Sequence, residues 1–356
     1  MIQVAAAPTT AGQPAGLGST KSYSFADGLG LRVTVDREQL SVDSLTSGER
    51  SSWRVRADGA RLSLEARADN QQEPNRVHLL AALDASFSRY PSATEVSLTC
   101  PRGSLGELVQ SGLVRTLGAG EFTVSREAFW QQPEVWRPAP APPCPVQYTL
   151  SAGKRHPIRP PKPSGVVYRR HIPWLDKTLT FRTPEERDLP RFSQWMNDPV
   201  VAHFWQEQGD LEKHRAYLEG IARDPHIASL IGSFDSEPFG YFEVYFAKEN
   251  RLSPFYDARD FDRGWHVLVG EARFRGAPYL TAWMPSLSHY LFLDDWRTER
   301  IVIEPRSDNA KMLKSLTRCG YAVLKEFEFP HKRAALGMLL RERFFADGLW
   351  IPQAAH

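Results

Sequence analysis

Residues 262–280 read DRGWHVLVGEARFRGAPYL. WHVLVG alternates like a strand, a short Arg/Gly turn follows, and a helical pattern then begins. Alternation puts Trp265, Val267 and Val269 on one face, and His266 and Leu268 on the other. A turn that opens a helix exposes unpaired N–H groups and the positive end of the helix dipole. Gly276 lets the backbone come close to a bound group, and Arg273 and Arg275 add positive charge, a set that suits a pyrophosphate. The turn is not a P-loop, because no Gly-Lys-Ser/Thr follows, and it holds too few glycines for a dinucleotide fingerprint. His266 alone has two readings. It is either a buried histidine bonded to a backbone carbonyl or a side chain placed to move a proton. Asp260, Asp262 and Arg263 mark a polar start to the strand.

Around this segment the pattern is mixed α/β. LTFR reads as a strand leading to Thr183, an expected N-cap with Pro184 at the first helical position. A second helix is expected near DLEKHRAYLEGIARD. SLIGSFD and PFGYFEVYFA are strands, and PYLTAWMPSLSHYLFLDD is a helix kinked at Pro285. ERIVIEP is a strand, NAKMLKSLTRCG a helix ending at Gly320, and YAVLKEFEFP a strand. FPHKRAALGMLLRERFF closes the lobe with a basic cluster ahead of an amphipathic helix, its last part helical.

Residues 137–165 are rich in proline, which removes backbone donors and fixes φ, so neither a helix nor a central strand fits there. This segment reads as an extended linker lying across a domain surface. It divides an N-terminal lobe, 21–136, from a C-terminal lobe, 166–350; residues 1–20 read as a disordered lead-in without the charged and apolar regions of a signal peptide. In the first lobe LRVTVD, SWRVRA and LSLEA alternate as strands, VHLLAALDASFSRY is helical, and a strand, a helix and a strand follow. TEVSLTCPRGSLGELVQSGLVRTLGAGEFTV matches TERIVIEPRSDNAKMLKSLTRCGYAVLKEFEF, each running strand, Pro-Arg, helix, Gly, strand. The first lobe is then a degenerate copy that kept the core and lost the chemistry, with Cys100 in place of Glu304; two unrelated α/β units are the alternative.

The chain has 356 residues, enough for two cores, and its net charge of +2 lacks the basic excess of a nucleic-acid binder. No apolar run reaches membrane-spanning length. Cys100, Cys144 and Cys319 form no CxxC pair, so neither a disulfide framework nor a zinc site is expected, and a reducing cytoplasm fits. In IVIEPRSDN a strand ends at Glu304-Pro305 before a helix. Asp308 is an N-cap by position, or a carboxylate at the strand's carboxyl end, where α/β sheets often bind ligands. Glu304 can pair with a basic neighbour or a substrate amine. His331, Lys332 and Arg333 are a solvated basic face or an anion contact.

The order MNDP, HFW, FGYFEVYFA, YDARDFDRGWHVLVG, RG, HYLFLDDWRTERIVIEPRSDN, GY, FPHKRA resembles the siderophore-biosynthesis branch of the GNAT acyltransferases, the hydroxylysine and hydroxyornithine acyltransferases. The resemblance spans most of 177–345. It implies a GNAT fold in the C-terminal lobe and a smaller GNAT-like first lobe. It implies acetyl-CoA or another acyl-CoA as co-substrate, with no metal, and a hydroxylated diamine or diamino acid as acceptor. It places acyl-CoA against Val267, Leu268, Val269, Arg273, Phe274, Arg275, Gly276, Ala277, Asn309, Lys332 and Arg333, with Pro278 removing one N–H from the turn. It makes His266 the base and Asp308 its acidic partner. Substrate contacts are expected from His203, Trp205, Glu243, Tyr245, Arg263, Glu304 and Arg306. A hydroxylamine is largely neutral at pH 7, so the base serves the proton lost in the transition state. Backbone N–H groups beside the cofactor strand would steady the oxyanion. The aminoglycoside 6′-acetyltransferases share the plan and the Met-Asn-Asp-Pro stretch, so an amine acetyltransferase is one rival. A non-catalytic scaffold contacting other siderophore-assembly enzymes is another.

Overall fold

A computed structural model describes residues 19–24, 30–67, 75–100, 105–118, 121–138 and 144–352. Residues 1–18, nearly all of the expected lead-in, lie outside the described residues. The chain divides into two compact units, one up to Arg126 and one from Glu127 onward.

The first unit contains β1 (Ser19–Ser24), β2 (Gly30–Asp36), β3 (Gln39–Ser44), β4 (Arg50–Asp58), β5 (Arg61–Ala66), α1 (Arg76–Arg89), β6 (Glu95–Thr99), α2 (Gly106–Gln110), β7 (Arg115–Gly118) and β8 (Glu121–Ser125). Its eight strands order as β1-β2-β3-β4-β5-β6-β8-β7. Alternation builds its core: Leu31, Val33 and Val35 of β2 and Trp53 and Val55 of β4 are buried, and Leu79, Leu80 and Leu83 of α1 are buried with them.

The second unit begins with α3 (Arg126–Trp130), the ribbon β9 (Tyr148–Ser151) and β10 (Lys154–Pro157), then β11 (Val166–Ile172) and β12 (Lys177–Arg182). It continues through α4 (Leu189–Met196), α5 (Pro199–Trp205), α6 (Leu211–Arg223), β13 (Ile227–Phe234), β14 (Glu237–Phe246), β15 (Arg263–Val269) and α7 (Ala277–Asp294). It ends with β16 (Arg300–Ile303), α8 (Ala310–Arg318), β17 (Ala322–Phe329), β18 (Lys332–Leu340) and α9 (Arg341–Ala346). The strand order, β11-β12-β13-β14-β15-β16-β18-β17, repeats that of the first sheet. Each sheet pairs its fifth and sixth strands in parallel across a helical crossover.

The repeat differs at one place. In the first sheet β5 and β6 stay paired over five positions, Arg61 to Glu65 against Glu95 to Thr99. In the second, β15 and β16 pair only at Arg263–Ile301 and Gly264–Val302, and from Trp265 onward the strands part. Among the described residues, only the second sheet has an opening between its parallel strands.

Helices cover both faces of the second sheet. Phe192, Trp195 and Met196 of α4 cluster with Ile231, Tyr241 and Leu268. On the other face Trp283 of α7 meets Phe242 and Trp265 edge-on. Pro285 lies inside α7, and the helix runs through it. Several expectations need correction. Thr183 is not an N-cap; its hydroxyl accepts from Gly165 N–H, and a capping box of Glu185 and Asp188 leads into α4. Only the last part of the segment after His331 is helical, as α9; Lys332–Leu340 is β18, because it pairs with β16 on one side and β17 on the other. A strand buried on both faces reads as a continuous apolar run, which sequence periodicity does not separate from a helix. α5 went unread, although Asp198-Pro199 is a capping signal: the Asp198 carboxylate accepts from Val200 and Val201 N–H.

The unit boundary also falls earlier than 137. Trp130 stacks between Trp136 and Trp350 at ring distances of 4.5 and 4.6 Å, so residues 127–137 belong to the second core. The proline-rich stretch is fastened to the same unit. Arg159 is bidentate on Glu249, and Lys154 donates to the Glu249 and Asn250 carbonyls.

Candidate active site

The site lies where β15 and β16 separate. His266 on β15 stands directly across from Glu243 on β14. Parallel pairing of Gly264 with Val302 brings the residue after β16, Glu304, alongside it. The His266 Nδ1–H donates to Glu243 Oε2 and the Nε2–H to Glu304 Oε1, both at 3.0 Å. Both carboxylates are buried, at 3% exposure, whereas a quarter of the His266 side chain is open.

Each carboxylate has further support. Tyr217 from α6 and Tyr241 from β14 donate to Glu243 Oε1, at 2.5 and 3.1 Å. Tyr245 donates to Glu304 Oε2 at 2.8 Å, and Lys332 Nζ donates to the Glu304 carbonyl. Tyr245 can lie there because Gly264 has no side chain: a Cβ would come within 2.3 Å of the tyrosine ring. Tyr241, Glu243 and Tyr245 share one face of β14 by simple alternation.

Electrostatics follow from this geometry. Burial opposes charge on His266, but the Glu304 charge and the hydrogen bonds to both carboxylates outweigh it and raise its pKa to about 9. Burial pushes Glu304 up, yet the His266 charge and hydrogen bond, with Lys332 and Tyr245, bring it down to about 2. At neutral pH the site is an imidazolium between two carboxylates, with both ring nitrogens engaged. Among the described residues no group of three His, Cys, Asp or Glu is arranged to hold a metal.

The other expected residues fall into distinct places. Trp205 of α5 closes one side, its ring 6.4 Å from that of His266 and its Nε1–H donating to the Val267 carbonyl. His203 is exposed at the end of α5, its ring against Phe204. Asp308 does not reach His266; it is exposed and bidentate on Arg306. Asn309, not Asp308, caps α8, accepting from Met312 N–H. Arg263 is buried on Asp294 at 2.8 Å, so it faces the core. Leu268 and Phe274 are also buried, Phe274 against Phe234. Arg333 pairs with Glu326 across the exposed β17–β18 hairpin. Tyr217, Tyr241 and Arg251 of this region escaped sequence reading. Tyr241 had a signal, the period-two face of β14, whereas Tyr217 arrives from α6 and Arg251 from the loop that joins β14 to β15.

The turn before α7 fits a pyrophosphate. Gly276 has φ of +118°, and the space beside its Cα is open. The first turn of α7 leaves N–H groups without helical partners, although Pro278 contributes none. Val267 and Val269 are half-buried on the strand that leads to this turn, and Ala277 is the first residue of α7. Arg275 is held on the Val269 and Gly270 carbonyls, which braces the turn, and Arg273 pairs with Glu237 at the surface.

A sheet that opens between β15 and β16, with a glycine turn and a helix start beside the opening, leaves room for an extended cofactor carrying an anionic group. The sequence pattern of the acetyltransferase (GNAT) domain matches residues 184–329. The chain is 43% identical over 227 residues to the N(6)-hydroxylysine O-acetyltransferase of Escherichia coli, covering 63% of this chain and 72% of that protein. It is 44% identical over 222 residues to the N(5)-hydroxyornithine:cis-anhydromevalonyl coenzyme A-N(5)-transacylase of Beauveria bassiana, covering 57% and 49%. An aminoglycoside acetyltransferase in complex with coenzyme A superposes with a TM-score of 0.43 at 22% identity, over 47% of this chain and 96% of that one. The chain belongs to the GNAT acetyltransferase family and is an acyltransferase that uses acyl-CoA.

Proposed function

We propose that the protein transfers an acyl group, acetyl first among them, from acyl-CoA to the hydroxylamine nitrogen of an N-hydroxylated diamine or diamino acid. N-hydroxylysine and N-hydroxyornithine are the preferred acceptors, and the product is the hydroxamate of an iron-binding siderophore. The observation that carries this reading is the Glu243–His266–Glu304 bridge at the opening of β15 and β16. The relatives named for hydroxylysine and hydroxyornithine support the acceptor class.

Acyl-CoA, when bound, supplies the thioester carbonyl. The turn at Gly276 and the first turn of α7 hold its pyrophosphate. Lys332 and Asn309 lie on the far side of the opening, after β16. The acceptor nitrogen is already neutral at pH 7, so its lone pair is available before any base acts. A proton must leave that nitrogen as the N–C bond forms. His266 can take it only once the imidazolium has given up a proton, so the two carboxylates set the pH at which the site becomes basic. Trp205 covers one wall and limits water.

The relatives' names differ in the atom acylated, oxygen in one and nitrogen in the other. We assign nitrogen, the more nucleophilic atom of a neutral hydroxylamine. The first unit is a non-catalytic repeat, because its β5–β6 pairing leaves no opening for a cofactor; contacts with other assembly enzymes are a suitable role. A cytoplasmic site of action fits the acyl-CoA supply. No described helix is long and apolar enough to cross a membrane.

The test is free-thiol release from acetyl-CoA with N-hydroxyornithine, N-hydroxylysine, ornithine, lysine and kanamycin in parallel. Turnover confined to a hydroxylated acceptor, with a product that forms a coloured ferric complex, is expected. Turnover of kanamycin or of the plain amines, or an O-acyl product that does not chelate iron, would overturn the assignment.

A further inference from the structure

The acceptor's amino-acid end needs a cation, and the two arginines expected to provide it are committed elsewhere. Arg263 is buried on Asp294, and Arg306 is bidentate on Asp308. Lys332 is spent on the Glu304 carbonyl, and Arg275 on backbone carbonyls of its own turn.

Arg251 differs from all of these. Its side chain is 53% exposed, and its nearest anion is Glu304 Oε1 at 3.7 Å, beyond hydrogen-bond reach. The guanidinium makes no hydrogen bond among the described residues. Its position is nevertheless set. Leu252 beside it is fully buried in a cluster with Tyr245, Val302 and Phe329. Asn250 on the other side accepts from Leu252 N–H and holds Lys154 through its carbonyl. The guanidinium also sits 5.6 Å above the Phe329 ring. An arginine with a fixed base and unspent donors is suited to bidentate carboxylate binding.

The oxygen that lies 3.7 Å from Arg251 is the same oxygen that accepts from His266 Nε2. Imidazole and guanidinium are thus neighbours across one atom. The Glu304 charge is offset by His266 and by the Tyr245 hydroxyl, so it does little to repel a second carboxylate at Arg251. We propose that Arg251 binds the α-carboxylate of the acceptor, holding the amino-acid end while the hydroxylamine lies over His266. The proposal rests on the function given above and narrows its substrate class. A diamino acid fits, whereas a hydroxylated diamine without a carboxylate leaves Arg251 unused.

The experiment compares N-hydroxylysine, its methyl ester and N-hydroxycadaverine with wild type, R251Q and R251K. In the wild type the ester and the decarboxylated amine should show raised KM. R251Q should raise KM for N-hydroxylysine roughly 10- to 100-fold, the usual loss for a charge-assisted contact, with KM for acetyl-CoA unchanged. In R251Q the difference in KM between the acid and its ester or decarboxylated analogue should collapse, and R251K should restore part of it. The proposal is overturned if wild type does not distinguish acid from ester, or if R251Q lowers kcat for all three alike. Calorimetric binding of N-hydroxylysine separates this idea from the reaction itself. Binding lost in R251Q without turnover in wild type would retain the carboxylate site and remove the hydroxylamine reaction. Equal binding by both proteins would remove the carboxylate site.

Discussion

Glu243 and His266 face each other across β14 and β15, with Oε2 and Nδ1 3.0 Å apart, and two tyrosines occupy the carboxylate's other oxygen. Three donors thus engage most of the acceptor sites of the Glu243 carboxylate. Its effect is to orient the imidazole and hold it charged, so it acts through His266 rather than on the acceptor.

This gives a pH prediction. If His266 must lose a proton to act, kcat/KM should rise from pH 7 toward about 9, where its pKa lies. In E243Q one stabilising carboxylate is removed, and the rising limb should move to lower pH. A pH–rate series on both proteins checks this. A limb that stays in place would mean that another group titrates. His266→Gln should lose the limb altogether, with a fall in kcat on the order of 100-fold or more.

Tyr217 supports Glu243 from α6, and Y217F removes one donor from a buried carboxylate. A loss of about 1–3 kcal/mol in stability is expected, read from urea unfolding. With one donor gone the Glu243 charge bears more fully on His266, so the pH limb should move opposite to E243Q, to slightly higher pH.

The bridge also makes stability depend on pH, with opposite signs at its two members. His266 is raised from 6.5 to about 9, so its contribution is complete below pH 6.5 and is lost as pH climbs through 9. Glu304 is lowered from 4.5 to about 2, so its contribution is complete above pH 4.5 and is lost as pH falls through 2. Thermal melts should show the full effect between pH 4.5 and 6.5, and H266Q should flatten the alkaline side.

Arg263 is a structural ion-pair partner in this arrangement. R263A leaves Asp294 with Arg137, at 2.9 Å, as its ion-pair partner and should cost about 3 kcal/mol in unfolding free energy. KM for either substrate should change little in the protein that remains folded. A selective rise in KM for the acceptor would return Arg263 to the binding site.

Gly276 adopts a backbone conformation, φ +118° and ψ 168°, that costs an L-residue about 1–3 kcal/mol. G276A should lower the melting temperature and raise KM for acetyl-CoA, leaving acceptor affinity nearly unchanged. Steady-state kinetics with each substrate varied in turn would show which one responds.

Local chemistry made much of this protein legible from the chain alone. The alternation of WHVLVG, the Arg/Gly turn and the helical run after it are short-range patterns, and they appear where they were read, as β15 and α7. So does the strand-helix-strand repeat, because each copy carries its own periodicity. The tertiary structure decided what the residues of the site do. Asp308 is close to Glu304 in sequence, yet only Glu304 reaches His266, because parallel pairing at Gly264 sets the register of β16 against β15. Glu243 meets His266 through antiparallel pairing across the loop 247–262, and Tyr217 arrives from a separate helix. β18 was misread for a related reason: burial on both faces erases the alternation that marks a strand. Sequence periodicity specifies which face a side chain takes within its own element. Which elements become neighbours, and hence whether a histidine rests neutral or charged, depends on strand register and burial across the whole sheet.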